Sequence, residues 1–290
     1  MVCPICQGAT SRLFKKHGYW ICDCLNCSHR HAEILPTENH VESIYSDRYF
    51  RDGGAGYNDY LSEAPMLRAH GQRYGRLLSR YLEPGTVLDV GAAAGFILQG
   101  LIDTGWQGAG VEPNPSMAEY ARTQLGLSIT AGTLEKFPVG QYYDLVTMIQ
   151  VVAHFVDLWK VFQVAAGIVR PGGFLLVETW NRASWTAWLF GAQWHEYSPP
   201  SVLHCFTTKS LRHLLRQFDF YEIASGRPVK RISGAHAKSL LRYVARGVPL
   251  GWFITKIANI VPDRLSLPYP AEDLFWMLFR KPAKSSLANS

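Results

Sequence analysis

Residues 86–102 read Thr86-Val87-Leu88-Asp89-Val90-Gly91-Ala92-Ala93-Ala94-Gly95-Phe96-Ile97-Leu98-Gln99-Gly100-Leu101-Ile102. The first five, β-branched or apolar around a single acid, predict a short buried strand. Five small residues, Gly91 to Gly95, follow at once. Phe96, Ile97, Leu98, Leu101 and Ile102 then recur at helical spacing until Gly105 stops the run. Strand, small-residue turn and helix in that order bring backbone N–H groups and a helix N-terminus toward one point. Such a place suits a carboxylate or phosphate and is open only to residues without bulky side chains. A nucleotide site is implied. The spacing lacks the third glycine of G-x-G-x-x-G, which counts against a nicotinamide dinucleotide.

Working outward, Ala64 to Leu82 spaces its apolar residues helically and ends at Pro84-Gly85. Downstream, a second strand from Gln107 to Val111 delivers Glu112, 21 positions beyond Gly91, where an acid accepts both hydroxyls of a ribose. Further strands are expected at Ser128–Ala131, Tyr143–Met148 and Phe174–Glu178. A helix from Leu158 to Arg170 and a Pro171-Gly172-Gly173 turn precede the third of these. A sixth strand lies near Phe220–Val229 and a seventh at Leu274–Arg280.

Val87 to Gly95 resembles the first motif of class I S-adenosylmethionine-dependent methyltransferases, with Ala93 where glycine is usual. The similarity continues through Gly110-Val111-Glu112-Pro113-Asn114, Tyr143 to Met148, and Pro171 to Glu178, and covers about residues 64 to 225. The resemblance implies an α/β domain with a Rossmann-like seven-stranded sheet, in which the segments at Tyr143–Met148, Phe174–Glu178, Phe220–Val229 and Leu274–Arg280 are the fourth to seventh strands, and S-adenosyl-L-methionine as cofactor, held by Asp89, Gly91, Ala92, Ala93, Gly95, Glu112, Pro113, Thr133, Leu134 and Gln150. In that carry-over Gly91, Ala93 and Gly95 pass under the methionine part and Glu112 holds the ribose. Thr133 stands where an acid commonly meets the adenine amine, so its hydroxyl or the Leu134 backbone takes that part. Gln150 faces the sulfonium side.

Five of the six cysteines fall within the first 27 residues. Cys3-Pro4-Ile5-Cys6 and Cys24-Leu25-Asn26-Cys27 are two C-x2-C knuckles with 17 residues between them. That spacing lets four thiolates meet around one zinc ion. Four ligands leave no open position, so the Zn2+ is expected to be structural, in a small N-terminal ribbon. Cys22 is a spare that could replace Cys24.

Methyl transfer to oxygen needs an aligned nucleophile and a base, and histidine is the natural base near neutral pH. His154, after the fourth strand, stands where many small-molecule methyltransferases carry a Glu-His pair, here Ala153-His154. His204 is a second candidate. It closes the stretch Trp194 to Thr207, which resembles the acceptor-covering loop of zinc-ribbon methyltransferases of sugar and natural-product pathways. Trp194, His195 and Tyr57 are candidate acceptor contacts, and Tyr49 or Tyr57 a lid over the cofactor carboxylate.

The 290-residue composition, 48% hydrophobic, excludes a disordered chain. The net charge of +6 is unevenly placed, +9 in residues 205–290 against −3 in 1–204. No secretory signal or spanning segment is read, so a cytoplasmic location is expected. The expected organisation is a zinc ribbon (1–35), a linker or lid (36–63), the methyltransferase domain (64–231), a helical C-terminal insertion (232–272), and a last strand and tail (273–290). Within the insertion Lys238, Arg242 and Arg246 alternate with Leu240, Leu241 and Val244, and a second apolar face holds Trp252, Phe253, Ile257, Ile260 and Val261. Two amphipathic helices there would cap the acceptor, join a homodimer, or contact a membrane peripherally through 236–262. The expected activity is methylation of a hydroxyl of a small biosynthetic metabolite, sugar-containing or a natural product. An RNA methyltransferase and a non-catalytic assembly protein are the alternatives. Nucleic acid is disfavoured because no Asn/Asp-Pro-Pro-Tyr/Phe motif follows the fourth strand.

Overall fold

A computed structural model describes residues 2–37, 39–51, 59–245, 251–260, 262, 265–269 and 271–283. Glu38, the Asp52 to Tyr57 stretch, Arg246 and Val261 lie outside the described residues. The chain begins with three strands, β1 (Thr10–Lys16), β2 (Tyr19–Cys24) and β3 (Arg30–Glu33), then α1 (His40–Ile44), α2 (Asp47–Arg51) and α3 (Ala64–Leu78). An alternating series follows: β4 (Thr86–Val90), α4 (Phe96–Ile102), β5 (Gln107–Glu112), α5 (Pro115–Leu125), β6 (Ser128–Ala131), β7 (Tyr143–Ile149), α6 (Leu158–Ile168) and β8 (Val169–Trp180). Next come α7 (Trp185–Phe190), β9 (His204–Cys205), α8 (Thr208–Arg216), β10 (Tyr221–Gly226) and β11 (Lys230–Ser233). The C-terminal part holds α9 (Gly234–Ala245), α10 (Gly251–Ile260), β12 (Ser266–Tyr269) and β13 (Leu274–Arg280).

The main sheet has seven strands in the order β10-β13-β8-β7-β4-β5-β6, with β13 antiparallel to both its neighbours and the inner strands parallel. The expected α/β class and seven-stranded sheet are therefore present. Strand alternation distributes the core over the two faces. Leu88, Val90, Val146, Met148, Leu175, Val177, Met277 and Phe279 pack with Phe162 of α6 and Leu211 of α8. Val87, Leu145, Ile149, Leu176 and Leu278 pack on the other face with Tyr74 and Leu78 of α3 and Leu98 and Leu101 of α4. Each fully buried side chain of this kind contributes about 1.5–3 kcal/mol relative to exposure.

Two expectations shift at element ends. The helix read as Leu158–Arg170 stops at Ile168, and β8 already begins at Val169, pairing with Tyr143 before a register shift carries it past Gly172-Gly173. The helix read to Leu82 ends at Leu78. α8 is capped by Thr207: its side chain accepts from the Ser210 N–H while the Ser210 hydroxyl accepts from the Thr207 N–H, a reciprocal capping box.

α3 crosses α4 at glycines. A Cβ on Gly71 would stand 2.1 Å from the Ile97 carbonyl oxygen, and one on Gly100 2.1 Å from that of Arg68. Only hydrogen at both positions allows this approach, which lays α3 over the C-terminal ends of the strands.

The N-terminal strands are joined to the rest of the chain. Their sheet has the order β1-β2-β3-β9, so the two-residue strand His204–Cys205 is its fourth member. Cys3, Ile5 and Cys24 belong to the same buried cluster as Phe206 and Leu211. Gln217 Nε2 donates to the Ile5 carbonyl, and Arg182 to that of Ser28. In the C-terminal insertion the two expected helices, α9 and α10, are present, and the unforeseen hairpin β11–β12 brackets them. No helix among the described residues is long and apolar enough to cross a membrane.

Candidate active site

One cavity of about 230 Å³ opens at the C-terminal ends of β4, β5 and β7, beneath α2 and α3. It gathers Asp89, Gly91, Ala92, Ala93, Glu112, Pro113, Thr133, Leu134, Gln150 and His154, residues spread over 66 positions of sequence. The turn after β4 is shaped for close approach. Gly91 has φ +70°, and a Cβ there would meet Val151 Cγ1 at 2.5 Å. Ala93 is also left-handed at φ 47°, and Gly95, at φ +82°, starts α4 behind the cavity against Leu127.

Glu112 ties this turn to the end of β5. Its Oε2 accepts from the Ala93 N–H at 2.8 Å and its Oε1 from the Asn114 N–H at 2.8 Å. Burial pushes its carboxyl up to about 7, against the pull of the two amides. Each oxygen keeps a lone pair for a further donor, so the group can accept two hydroxyls from a bound ligand. Asp89, pushed up to about 7 by burial, accepts at 2.6 Å from the Thr147 hydroxyl.

A second buried carboxylate, Glu178 on β8, organises the side toward α3. Gln150 Nε2 donates to its Oε1 at 2.7 Å, His70 Nε2–H to its Oε2 at 3.0 Å, and the Tyr74 hydroxyl also to Oε2. Burial alone would push this carboxyl up; the electrostatic attraction and hydrogen bond of His70, with the bonds from Tyr74 and Gln150, bring it down to about 2. Gln150 also holds a left-handed backbone, φ 58°, and its N–H donates to the Glu178 carbonyl at 2.8 Å. Arg73 Nη2 lies 3.2 Å from His70 Nδ1, on the side of the ring turned away from Glu178. His70, Arg73, Tyr74 and Glu178 were not singled out in the sequence as site residues. The i, i+3, i+4 spacing on α3 was the available signal, but only the tertiary structure supplies its partner on β8.

His154 and His204 are placed differently. His154 lines the cavity, its Nδ1–H donating to the Ser201 carbonyl at 2.7 Å, so its other ring nitrogen is the one free of a proton. Burial pushes its pKa down, against the backbone carbonyls of Ser201 and Gln150, and the ring is neutral at physiological pH. His204 lies outside the cavity lining. Paired into β9 opposite His31, it is buried, donates through Nε2–H to the Phe155 carbonyl at 2.9 Å and contacts His29 at 3.4 Å. Burial pushes it down to about 3.

Trp194 is likewise packed, edge-on against Tyr197 in a separate cluster with Ile21 and Ala32. His195 stands edge-on to Trp180 and beside Glu196 at 3.3 Å. Neither lines the cavity. The 194–205 stretch, expected to cover an acceptor, instead joins the N-terminal sheet to the site. Ala32 N–H donates to the Leu203 carbonyl, and Leu203 N–H to that of Ala153, the neighbour of His154. Tyr49 lines the cavity; Tyr57 lies outside the described residues.

The four thiols Cys3, Cys6, Cys24 and Cys27 have their sulfurs within 4.8 Å of one another, and Cys22 is not among them. The Cys3–Cys27 and Cys6–Cys24 separations are 3.6 and 3.4 Å. Tetrahedral thiolates about 2.3 Å from zinc stand about 3.8 Å apart. Backbone amides of Ile5, Asn26 and Cys27 point at the sulfurs of Cys3 and Cys24, as anionic ligands require. The donor set fits a closed Zn2+ site.

A family model described as a methyltransferase domain matches residues 66–225. The chain is 29% identical over 116 residues to the ubiquinone biosynthesis O-methyltransferase of Bradyrhizobium diazoefficiens, covering 38% of this chain and 46% of that protein. It is 30% identical over 127 residues to the enzyme of the same name from Yersinia pestis, covering 41% and 52%. The chain thus spans about half the length of these curated relatives. Among solved structures it is similar to a SAM-dependent methyltransferase from Thermotoga maritima, with TM-score 0.51 and 19% identity over 77% of this chain and 95% of that one. Another, from Archaeoglobus fulgidus, gives TM-score 0.52 and 14% identity over 77% and 99%. These two likenesses bear on the fold.

Proposed function

The chain belongs to the methyltransferase-domain family, and from that premise we propose that it transfers a methyl group from S-adenosylmethionine to a hydroxyl oxygen of a small biosynthetic metabolite, a sugar or natural product. The observation that carries this reading is that one cavity holds the glycine-shaped turn after β4, the buried Glu112 and the neutral His154. When bound, S-adenosylmethionine supplies an electrophilic sulfonium methyl. Gly91 to Ala93 would lie beneath its methionine part, Glu112 would accept the ribose hydroxyls, and Thr133 and Leu134 would flank the adenine. Gln150, fixed on Glu178, would face the sulfonium. His154 is the base: its Nδ1–H is held by Ser201, which turns the second ring nitrogen into the proton acceptor for an acceptor hydroxyl. The oxygen acceptor is supported by the curated relatives, which are O-methyltransferases of ubiquinone biosynthesis.

Zn2+ on Cys3, Cys6, Cys24 and Cys27 would be structural. Through β3, Leu203 and Ala153 the ribbon braces the backbone that carries His154. On α10, Trp252, Phe253 and Ile260 are exposed, and Lys256 lies over the Trp252 ring at 5.2 Å, which supports peripheral contact with another surface.

Native mass spectrometry with and without S-adenosylhomocysteine, followed by S-adenosylhomocysteine release against phenolic, catecholic and sugar hydroxyl acceptors, tests the reading. One zinc and one cofactor per chain with turnover on an oxygen acceptor are expected. A chain that never retains the cofactor overturns it.

A further inference from the structure

The charges around the cavity are segregated by element. Asp89, Glu112 and Glu135 come from the ends of β4 and β5 and the turn after β6, the half that forms the cradle. Arg73 and Arg231 come from α3 and from β11, which packs on α3. Glu63, just before α3, also lines the cavity. The carboxylate whose charge acts on Arg73 is Glu178, and both its oxygens are already engaged by Gln150, His70 and Tyr74. Among the described residues the Arg73 guanidinium meets a ring nitrogen, His70 Nδ1, and not a carboxylate, and its buried Nε has no partner. Burial, then Arg76 and Arg231, push its pKa below the ordinary range, and the pull of Glu178 and Tyr74 does not offset them. A guanidinium carries five donors in a planar fork that matches carboxylate and phosphate oxygens two at a time.

We propose that Arg73 and Arg231 form an anion subsite that holds a carboxylate or phosphate group of the methyl acceptor. The inference rests on the methyltransferase reading and narrows it to an anionic acceptor. Two sources could bring the same chemistry, the acceptor or the carboxylate of the cofactor's methionine part. The segregation of charge favours the first, because Arg73 and Arg231 come from α3 and the β11–β12 hairpin and not from the strands and turns that form the cradle.

The test uses the full chain saturated with S-adenosylhomocysteine and titrated calorimetrically with inorganic phosphate, benzoate and neutral benzamide. Phosphate and benzoate are expected to bind in the millimolar range and benzamide not at all. Arg73→Gln should weaken both anions at least tenfold and Arg231→Gln severalfold, with S-adenosylhomocysteine affinity within twofold of the wild type. Arg231 is exposed, so R231Q keeps the test open if R73Q does not fold. Absence of anion binding to the cofactor-loaded chain overturns the proposal. So does an R73Q protein that loses tenfold in S-adenosylhomocysteine affinity while phosphate binding is unchanged, which gives Arg73 to the cofactor's own carboxylate. If the wild type retains no S-adenosylhomocysteine, the methyltransferase reading is what fails, and phosphate titration of the cofactor-free chain decides the subsite alone.

Discussion

Replacing Glu178 by Gln removes one charge at the point where three elements meet and leaves the shape almost unchanged. The carboxyl is fully buried and lowered from 4.5 to about 2, so its ionised form contributes about 3 kcal/mol to folding. The sign follows from the direction of the shift. A carboxyl depressed by folding gives its full contribution above its unfolded value and loses it as pH falls toward the folded one. The substituted amide also turns an NH2 group toward either Gln150 Nε2 or the His70 and Tyr74 donors, which strands one buried donor at a cost of about 1–3 kcal/mol. Taking about 4–6 kcal/mol in all, the thermal midpoint of E178Q should fall by roughly 8–24 °C at pH 7.5. Urea denaturation of both proteins across pH gives the sharper check. The stability difference should be constant above about pH 5.5 and shrink by about a third by pH 3.5. A difference below about 1 kcal/mol at neutral pH, or one that grows as the solution is acidified, refutes the reasoning.

Glu112→Gln should weaken S-adenosylhomocysteine on the order of a hundredfold or more, since two charge-assisted hydrogen bonds are lost at about 1.5–3 kcal/mol each. Because burial raises that carboxyl to about 7 and only its ionised form accepts both hydroxyls, calorimetric affinity of the wild type should decline below pH 7 while the E112Q profile stays flat. Gly91→Ala meets Val151 Cγ1 at 2.5 Å with φ +70°, so roughly 2–5 kcal/mol of stability should go in denaturation, with cofactor binding. Gly126→Ala, at φ +65° with no neighbour within 4 Å, should cost only about 1–2 kcal/mol. Elemental analysis should find one zinc per chain that Cys24→Ser abolishes and Cys22→Ser retains. Chelation should lower the whole unfolding transition, because Cys3 and Cys24 share a cluster with Phe206 and Leu211. His154→Gln should reduce kcat by about 10²–10⁴ with S-adenosylhomocysteine affinity unchanged, while His204→Gln should register in the thermal midpoint instead.

Much of the cradle was legible because its parts are contiguous or evenly spaced. Val87 to Gly95 carries a strand, a turn and a helix start within a few residues, and two C-x2-C pairs define a ligand set without knowledge of the fold. Glu112 was found by its distance along the chain, which a strand–helix–strand unit converts into a fixed position in space. Such features are set by local chemistry, where steric limits at small residues and the alternation of a strand leave few arrangements open.

His204 shows where that reasoning ends. A two-residue strand has no period to read, and its capture by β3 sends the imidazole into the core beside His29 and Phe206. Trp194 follows the same course, packed against the ribbon. Glu178, His70, Tyr74 and Gln150 are up to 108 positions apart, and no local pattern specifies that they share one carboxylate. Sheet order and the glycine crossing of α3 over α4 bring them together. The sequence by itself determined the fold class, the small-residue turn, the place of Glu112 at the end of its strand and the four thiols, because each is encoded within one unit of secondary structure. Only the tertiary structure decided which histidine enters the cavity and which carboxylate fixes Gln150, because burial and hydrogen bonding between distant segments depend on which surfaces pack.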